Sequence, residues 1–431
     1  KVKNLHSEDR GSVFGHRIAY AYNERGWLRK VDAPLFSQEL QYNTGTAKYY
    51  NGNIAYQIRP TQRLSFENSY THTGRDEGRF FQGTNLDNAR EYQNHRLQFI
   101  EEGLLSTAVG GEHFFQDLGN SRVDWRVNIA RATRDEPDLR EALYERAIGA
   151  TTAPFTLADE SQSGFRMFNE LNDDTVDVAA NWSTFNTTVS RPTQFKFGVS
   201  YVDRARDFRS RRFRFIPITT QKADAGNLLF DNRLTPEELY TSENIGVAFR
   251  LNEETRPVDA YDGEQQTTAG YGMVDIALSG RTRLVGGARV ERFDQTVVTQ
   301  DPFGLFAREV LAENVNTDVF PAVNLVQALN DRTNLRLSYS STVNRPEFRE
   351  LAEFVFTPVV GNPAVKGNPN LDRALIHNVD GRWELFGGGR SVLAASAFFK
   401  YFDKPIERVG IASANPIVTF QNPDQARNFG M

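Results

Sequence analysis

Apolar and polar residues alternate one by one along several stretches of this chain, and each such stretch follows a tight polar turn. After Asp331, Leu335, Leu337, Tyr339, Ser341 and Val343 form one row and Asn334, Arg336, Ser338, Ser340, Thr342 and Asn344 the other, until Arg345 ends the apolar row. Phe195, Phe197, Val199 and Tyr201 alternate with Lys196, Gly198 and Ser200, and Asp203 closes that series. Val123, Trp125, Val127 and Ile129, closed by Arg131, repeat the arrangement, as do Leu393, Ala395, Ala397, Phe399 and Tyr401, closed by Asp403. Period two puts one row on each face of a β-strand, and about ten residues suffice for a tilted strand to cross a bilayer. The pattern predicts an all-β chain folded as an antiparallel transmembrane β-barrel wall.

Strands are expected over 12–22, 47–58, 63–73, 91–115, 122–133, 174–189, 194–208, 264–278, 283–298, 317–328, 334–344, 374–386 and 391–403, with a further one beginning in 416–421. Short turns rich in Gly, Pro, Asn or Asp fall at 59–62, 117–120, 191–194, 279–282, 330–333 and 387–390. The connections between them are long: 74–89, 135–172, 217–262, 300–315 and 346–372. Short turns on one side and long loops on the other match an outer-membrane barrel, with the long loops extracellular. Within one of them, Thr235-Pro236-Glu237-Glu238-Leu239-Tyr240 reads as a helical turn, Thr as cap and Pro in first position.

A soluble all-β protein also alternates along its half-buried strands. Three features favour the membrane: strands longer than the usual five or six residues, apolar rows that stop at charges at similar heights, and Tyr201, Tyr339 and Tyr401 placed just before those charges. A charge costs roughly 2–4 kcal/mol at the bilayer midplane but almost nothing at its edge, so the closing charges mark the membrane boundary.

Composition agrees with this. Of 431 residues 39% are hydrophobic, and no apolar run is long enough for a membrane helix. A barrel strand exposes only every second residue to lipid, so its overall hydropathy stays low. Phe (32) and Tyr (15) are abundant, as aromatic girdles require, and Cys is absent. The net charge of -5, without a basic aromatic patch, gives no sign of a nucleic-acid partner. Export of a barrel needs a signal peptide, and none stands at Lys1, so sequence upstream is expected.

At Asn344-Arg345-Pro346-Glu347-Phe348-Arg349-Glu350-Leu351 the chain resembles the TonB-dependent outer-membrane receptors, and the resemblance runs on through Gly367-Asn368-Pro369-Asn370-Leu371, the strands around Trp383 and Ala397-Phe398-Phe399-Lys400, and Lys404-Pro405-Ile406-Glu407. Asp372-Arg373-Ala374 stands where the family has Lys-Pro-Glu or a close variant. Such barrels close with about 22 strands. Residues 1–431 hold about thirteen or fourteen and show no plug domain, so the chain is expected to be a partial barrel domain, with the plug upstream and the final strands beyond Met431.

The resemblance implies an outer-membrane receptor of a Gram-negative bacterium that binds a scarce solute, a ferric siderophore foremost, and imports it with energy from the TonB complex acting on the plug. Carbohydrate or cobalamin uptake by the same family, or a passive porin-like barrel, are the alternatives. The basic run Arg204, Arg206, Arg209, Arg211, Arg212 and Arg214 is the candidate for contact with an anionic ligand, because guanidinium groups grip carboxylates and phosphates through paired hydrogen bonds. The competing reading has these arginines hold lipopolysaccharide phosphates at the rim or pair with Glu237 and Glu238. Arg289, Glu291, Arg336, Asp380, Arg382 and Glu384 are expected to line the lumen, as ion pairs across strands or as supports for the plug. Loop aromatics Phe80, Phe81, Phe303, Phe306, Phe354 and Phe356 are candidates for stacking on a ligand or anchoring at the rim. Catalysis is not expected. The six histidines show no metal-binding spacing, no nucleophile motif is present, and neighbouring acids such as Glu101 and Glu102 point to opposite faces of a strand. No cofactor is implied.

Overall fold

The computed structural model describes residues 11–431 except 14–15, 23–27, 34–35, 44–46, 87–88, 159–162, 187–190, 219–233, 257, 301–308, 357–363, 388–390 and 412–416. The strands are β1 (Gly11–Val13), β2 (His16–Tyr22), β3 (Leu28–Ala33), β4 (Phe36–Asn43), β5 (Ala47–Arg59), β6 (Gln62–Asn85), β7 (Arg90–Phe115), β8 (Ser121–Ala147), β9 (Thr156–Leu157), β10 (Phe165–Asn186) and β11 (Thr193–Pro217). They continue as β12 (Phe249–Glu253), β13 (Ala260–Ala277), β14 (Thr282–Gln300), β15 (Val310–Asn330), β16 (Thr333–Asn344), β17 (Val355–Phe356), β18 (Ala364–Lys366), β19 (Ala374–Phe386), β20 (Val392–Asp403), β21 (Glu407–Ile411), β22 (Ile417–Gln421) and β23 (Gln425–Gly430). Two helical turns, α1 (Pro236–Leu239) and α2 (Phe348–Leu351), accompany them.

The main sheet has 19 strands among the described residues. Its backbone is an antiparallel meander in which β5 to β8, β10, β11, β13 to β16, β19, β20 and β23 follow one another as hydrogen-bonded neighbours. β4 carries on beside the upper half of β6 where β5 leaves it, and β3, β2 and β1 extend that corner. No pairing among the described residues joins β23 to β5, so the sheet does not close on itself.

Five of the expected short turns join consecutive strands, β5–β6, β7–β8, β10–β11, β13–β14 and β15–β16, and of the sixth, between β19 and β20, residues 388–390 lie outside the described residues. At 117–120 the backbone takes positive φ at both Gly119 (67°) and Asn120 (54°), the conformation Gly and Asn tolerate best.

On the opposite side the strands run further than alternation indicates. β6 occupies most of 74–89, β8 and β10 invade 135–172, and β15 begins at Val310, inside 300–315. Beyond the membrane both faces of a strand are polar, so the period-two signal fades while the backbone ladder, indifferent to side-chain polarity, continues. For the same reason β3 and β4 escape the sequence reading. The helical turn forms as expected, with Thr235 as its N-cap, accepting from the Glu238 amide at 3.4 Å.

The face bearing the apolar rows is solvent-accessible in the isolated chain. Phe197 and Leu337 are both 47% exposed and Val199 is 62% exposed. Trp125 is only partly covered, and its indole donates to His113 at 3.1 Å. A water-soluble sheet of this size would bury such a face, whereas lipid covers it in a barrel. Along one level of that face Tyr339, His377 and Tyr401 form an aromatic ladder, with centroids 6.2 and 6.3 Å apart and the Tyr339 hydroxyl 3.0 Å from His377 Nδ1. It sits where amphipathic rings settle, between hydrocarbon and water.

The other face carries an inner assembly. α2 and a small four-stranded sheet of β17, β18, β22 and β21 lie against it. Phe348, Leu351, Ala352, Phe354, Val365, Leu371 and Phe420 of that assembly make one core with the wall residues Tyr261, Val297 and Ala312. Residues 417–421 are therefore a strand of this inner sheet and not of the barrel wall. Gly367 is needed there, since a Cβ would collide with the Ala352 carbonyl. A second core, formed by Ala142, Tyr144, Phe155, Phe215, Leu239, Tyr240, Ala248 and Phe249, ties α1 to the far ends of β8 and β11.

Candidate binding site at the outer end of the inner face

Strand alternation divides the expected arginine run. Tyr201 and Phe197 face lipid, so odd positions of β11 lie on the lipid side and even positions on the inner face. Arg204, Arg206, Arg212 and Arg214 are inner, whereas Arg209 and Arg211 project outward above the membrane. Arg209 donates to Asp262 at 2.6 Å, and Arg211 grips Glu253 through two bonds of 3.0 Å. Glu237 pairs with Arg140 at 3.6 Å, outside the run.

On the inner face Arg204 and Arg206 share one carboxylate. Arg204 Nε and Nη2 reach Asp173 at 3.0 and 2.9 Å, and Arg206 Nε reaches it at 2.6 Å. Both guanidinium groups lie over the Phe348 ring, at 5.2 and 5.5 Å from its centroid, an orientation that lets the ring's negative face meet the cations. Phe348 reaches this position because Gly263 is bare, a Cβ there standing 2.8 Å from Phe348 Cδ1. Tyr261 and Arg349 border the pair. Burial lowers the Arg349 pKa, Tyr261 and Glu136 oppose that shift, and Arg134 and Arg206 add to it.

A step further out, Arg212 and Arg256 both pair with the fully buried Asp259, at 2.8 and 3.1 Å, and both donate to the Val355 carbonyl, at 2.6 and 2.7 Å. Burial pulls the Arg212 pKa down to about 10 against the upward pull of Asp259, with Arg256 lowering it further. This joint stitches β17 to the wall. Arg214 donates to the Ser163 carbonyl at 3.2 Å and lies 3.9 Å from Glu254.

The motif at 344–351 runs along the same inner face. Arg345 pairs with Glu291 at 2.5 Å and lies over Phe293, 4.1 Å from its centroid, while the Pro346 carbonyl accepts from Gln295 at 3.0 Å. The expected lumen residues all fall on this face. Arg289 bonds Glu291 at 2.9 Å and Ser200 at 3.1 Å. Nearer the short turns, Arg336 and Arg382 clasp Glu384 at 2.9 and 2.8 Å, and Asp380 stands opposite Ser338, exposed. Of the loop aromatics, Phe354 is buried against Phe208, 5.1 Å between centroids, so it belongs to the core and not to a rim. Phe80 packs on His95 at 5.0 Å. Phe303 and Phe306 lie outside the described residues, as does the side chain of Phe356.

Sequence reading did not single out Asp173, Tyr261, Asp259 or Arg256 for this site. Each is brought there by strand register or by a loop, the Asp173↔Arg206 pairing across β10 and β11 being the clearest case. Parity along β11, applied to the arginines as it was to the apolar row, would have divided the run.

The family model described as TonB dependent receptor-like, beta-barrel, matches residues 4–431. Similar solved structures include the ferric-catecholate import receptor Fiu of E. coli K12 in its closed form, with TM-score 0.50, 10% identity, and coverage of 90% of this chain and 60% of that one. They also include a double mutant of the Serratia marcescens hemophore receptor HasR in complex with its hemophore HasA and heme, with TM-score 0.51, 10% identity, and coverage of 92% and 60%. At such identity the likeness concerns fold, and the chain spans about 60% of the length of these two proteins. No curated protein sequence matches the chain.

Proposed function

Because the chain belongs to the TonB-dependent receptor family, as part of its β-barrel, we propose that the intact protein is a Gram-negative outer-membrane receptor that imports a scarce anionic solute, a ferric siderophore foremost. The solute enters from the extracellular side and meets Arg204 and Arg206 on the inner face. Energy comes from the TonB complex, acting through a plug domain that fills the lumen beside Arg289, Glu291, Arg336, Asp380, Arg382 and Glu384. Arg209 and Arg211 stand outside the barrel, at the level of lipid headgroups and lipopolysaccharide.

The observation that carries this reading is the sharing of Asp173 by two arginines over the Phe348 ring. One carboxylate at hydrogen-bonding distance serves both guanidinium groups, and the second acid, Glu347, stands off at 4.0 Å from Arg204, so the pair can take a further anion, whose attraction a low-dielectric aromatic floor strengthens. The ferric-catecholate and heme-related receptors among the similar structures support an iron-carrying ligand.

The test is uptake of radiolabelled ferric siderophores, catecholate and carboxylate, by cells carrying the full receptor. Arg204→Ala with Arg206→Ala is expected to lower uptake at least tenfold, and Arg209→Ala with Arg211→Ala to leave it near wild type. Uptake should vanish in cells lacking TonB. Equal uptake by the wild type and the Arg204/Arg206 variant rejects the site, and uptake that persists without TonB rejects the transport mode.

A further inference from the structure

Glu347 is the N-cap residue of α2, immediately before Phe348, and its carboxylate lies beside Arg204. Its Oε2 lies 4.0 Å from Arg204 Nη1, too far for a hydrogen bond, and its side chain is 65% exposed. Asp173 occupies Nε and Nη2 of the same guanidinium. Arg206 is committed to Asp173, with Tyr261 beside it. Nη1 is thus the edge of the pair at which a second carboxylate can arrive, and Glu347 stands beside it.

The charges of Arg134 and Glu136 nearby are occupied by partners on neighbouring strands. Arg134 holds Glu102, and Glu136 accepts from Gln98 and, at 2.6 Å, from Asn169. Neither acid is free to take the place at Nη1. Among the described residues, the second acid within 4.0 Å of Arg204 is Glu347.

We propose that Glu347 is an internal competitor at this site: it lends its carboxylate loosely to Arg204 Nη1 and is displaced by a carboxylate of the incoming ligand. The inference rests on the anion-binding reading of Arg204 and Arg206. A loosely held competitor lowers the pair's affinity for chloride, phosphate and other abundant small anions, and yields to a ligand that offers several carboxylates at once. The exchange needs only a side-chain rotation. Phe348 stays packed on Gly263, and the Arg345–Glu291 pair stays closed.

The experiment uses the full-length receptor in outer-membrane vesicles, with citrate as the carboxylate probe. Phenylglyoxal modification of the peptide containing Arg204 is followed by mass spectrometry over a citrate titration. Glu347→Gln should speed modification and lower the citrate concentration giving half-protection by about two- to fivefold, the range open to an exposed ion pair. Equal midpoints in the wild type and Glu347→Gln, or a higher one in the variant, overturn the competitor while leaving the anion site standing. Absence of citrate protection in both proteins overturns the anion site itself, and the competitor with it.

Discussion

The Tyr271 ring lies across the bare backbone of Gly198 on the neighbouring strand, in space that a Cβ at Gly198 would enter. Its hydroxyl donates to Asn181 Oδ1 at 2.6 Å, and Asn181 Nδ2 donates to Asp124 at 2.7 Å. A missing side chain on β11 therefore lets an aromatic from β13 reach β10 and β8, binding four strands of the inner wall through one line of contacts.

Gly198→Ala should disrupt that line, because the new methyl collides with both the Tyr271 ring and Asn181 Oδ1. The expected loss is about 1–3 kcal/mol, the usual cost of overpacking, read from urea unfolding of the receptor in lipid vesicles. Tyr271→Phe keeps the ring and removes one hydrogen bond, and should cost about 1 kcal/mol. If both variants unfold with the wild type, the line of contacts contributes nothing.

The membrane boundary on β11 can be placed by a pair of arginine substitutions. Val199→Arg puts a charge within the lipid-facing row and should destabilise the inserted barrel by roughly 2–4 kcal/mol, whereas Asp203→Arg, at the closing charge, should cost under about 1 kcal/mol. Folding equilibria in vesicles measure both. Equal costs would mean that the aromatic and charged closures do not mark the edge of the bilayer.

Arg345→Ala removes one of the two arginine partners of Glu291, which is itself buried and keeps Arg289. With Arg289 still paired to Glu291 the cost should fall below the roughly 3–5 kcal/mol of a fully stranded buried charge, and the damage should centre on the inner assembly. Limited proteolysis of the receptor is expected to cut within 346–372 much faster in the variant. A wild-type digestion pattern would show that the motif is held mainly by Phe348 and its core.

Asp372 supplies a pH dependence at a site outside the membrane-crossing strands. Partial burial alone would raise its pKa, but the hydrogen bond from Lys404 (2.9 Å), the Arg373 amide and the charges of Lys404 and Arg373 outweigh this and hold it below the ordinary aspartate value. A carboxylate with a lowered folded-state pKa stabilises at pH above its unfolded value, and that stability is lost as pH falls through the folded one. Asp372→Asn should therefore cost up to about 1 kcal/mol at pH 6, and the difference from wild type should shrink below about pH 4. An undiminished difference at pH 3 would contradict the linkage.

The membrane wall was legible because a two-sided environment writes itself into alternate residues: the row from Phe195 to Tyr201 needed no knowledge of its neighbours. The turns were legible for a related reason, since Gly119 and Asn120 answer a local backbone demand. The binding site was less so. Parity separates Arg209 and Arg211 from Arg204 and Arg206, yet nothing local announces that Asp173, some thirty positions earlier, lies directly across from Arg206, or that Phe348 comes to rest beneath both guanidinium groups.

By itself the sequence determined which face of the alternating strands meets hydrocarbon, where the short turns fall and which segment carries the family resemblance, because each of these depends on neighbours along the chain. Only the tertiary structure decided that the strands continue beyond the membrane, that residues 417–421 join an inner sheet, and that Arg204, Arg206, Asp173 and Phe348 form one cluster. Those outcomes depend on register and on the path of loops through space, and the charge and hydropathy of a residue say nothing about which distant partner the ladder will set opposite it.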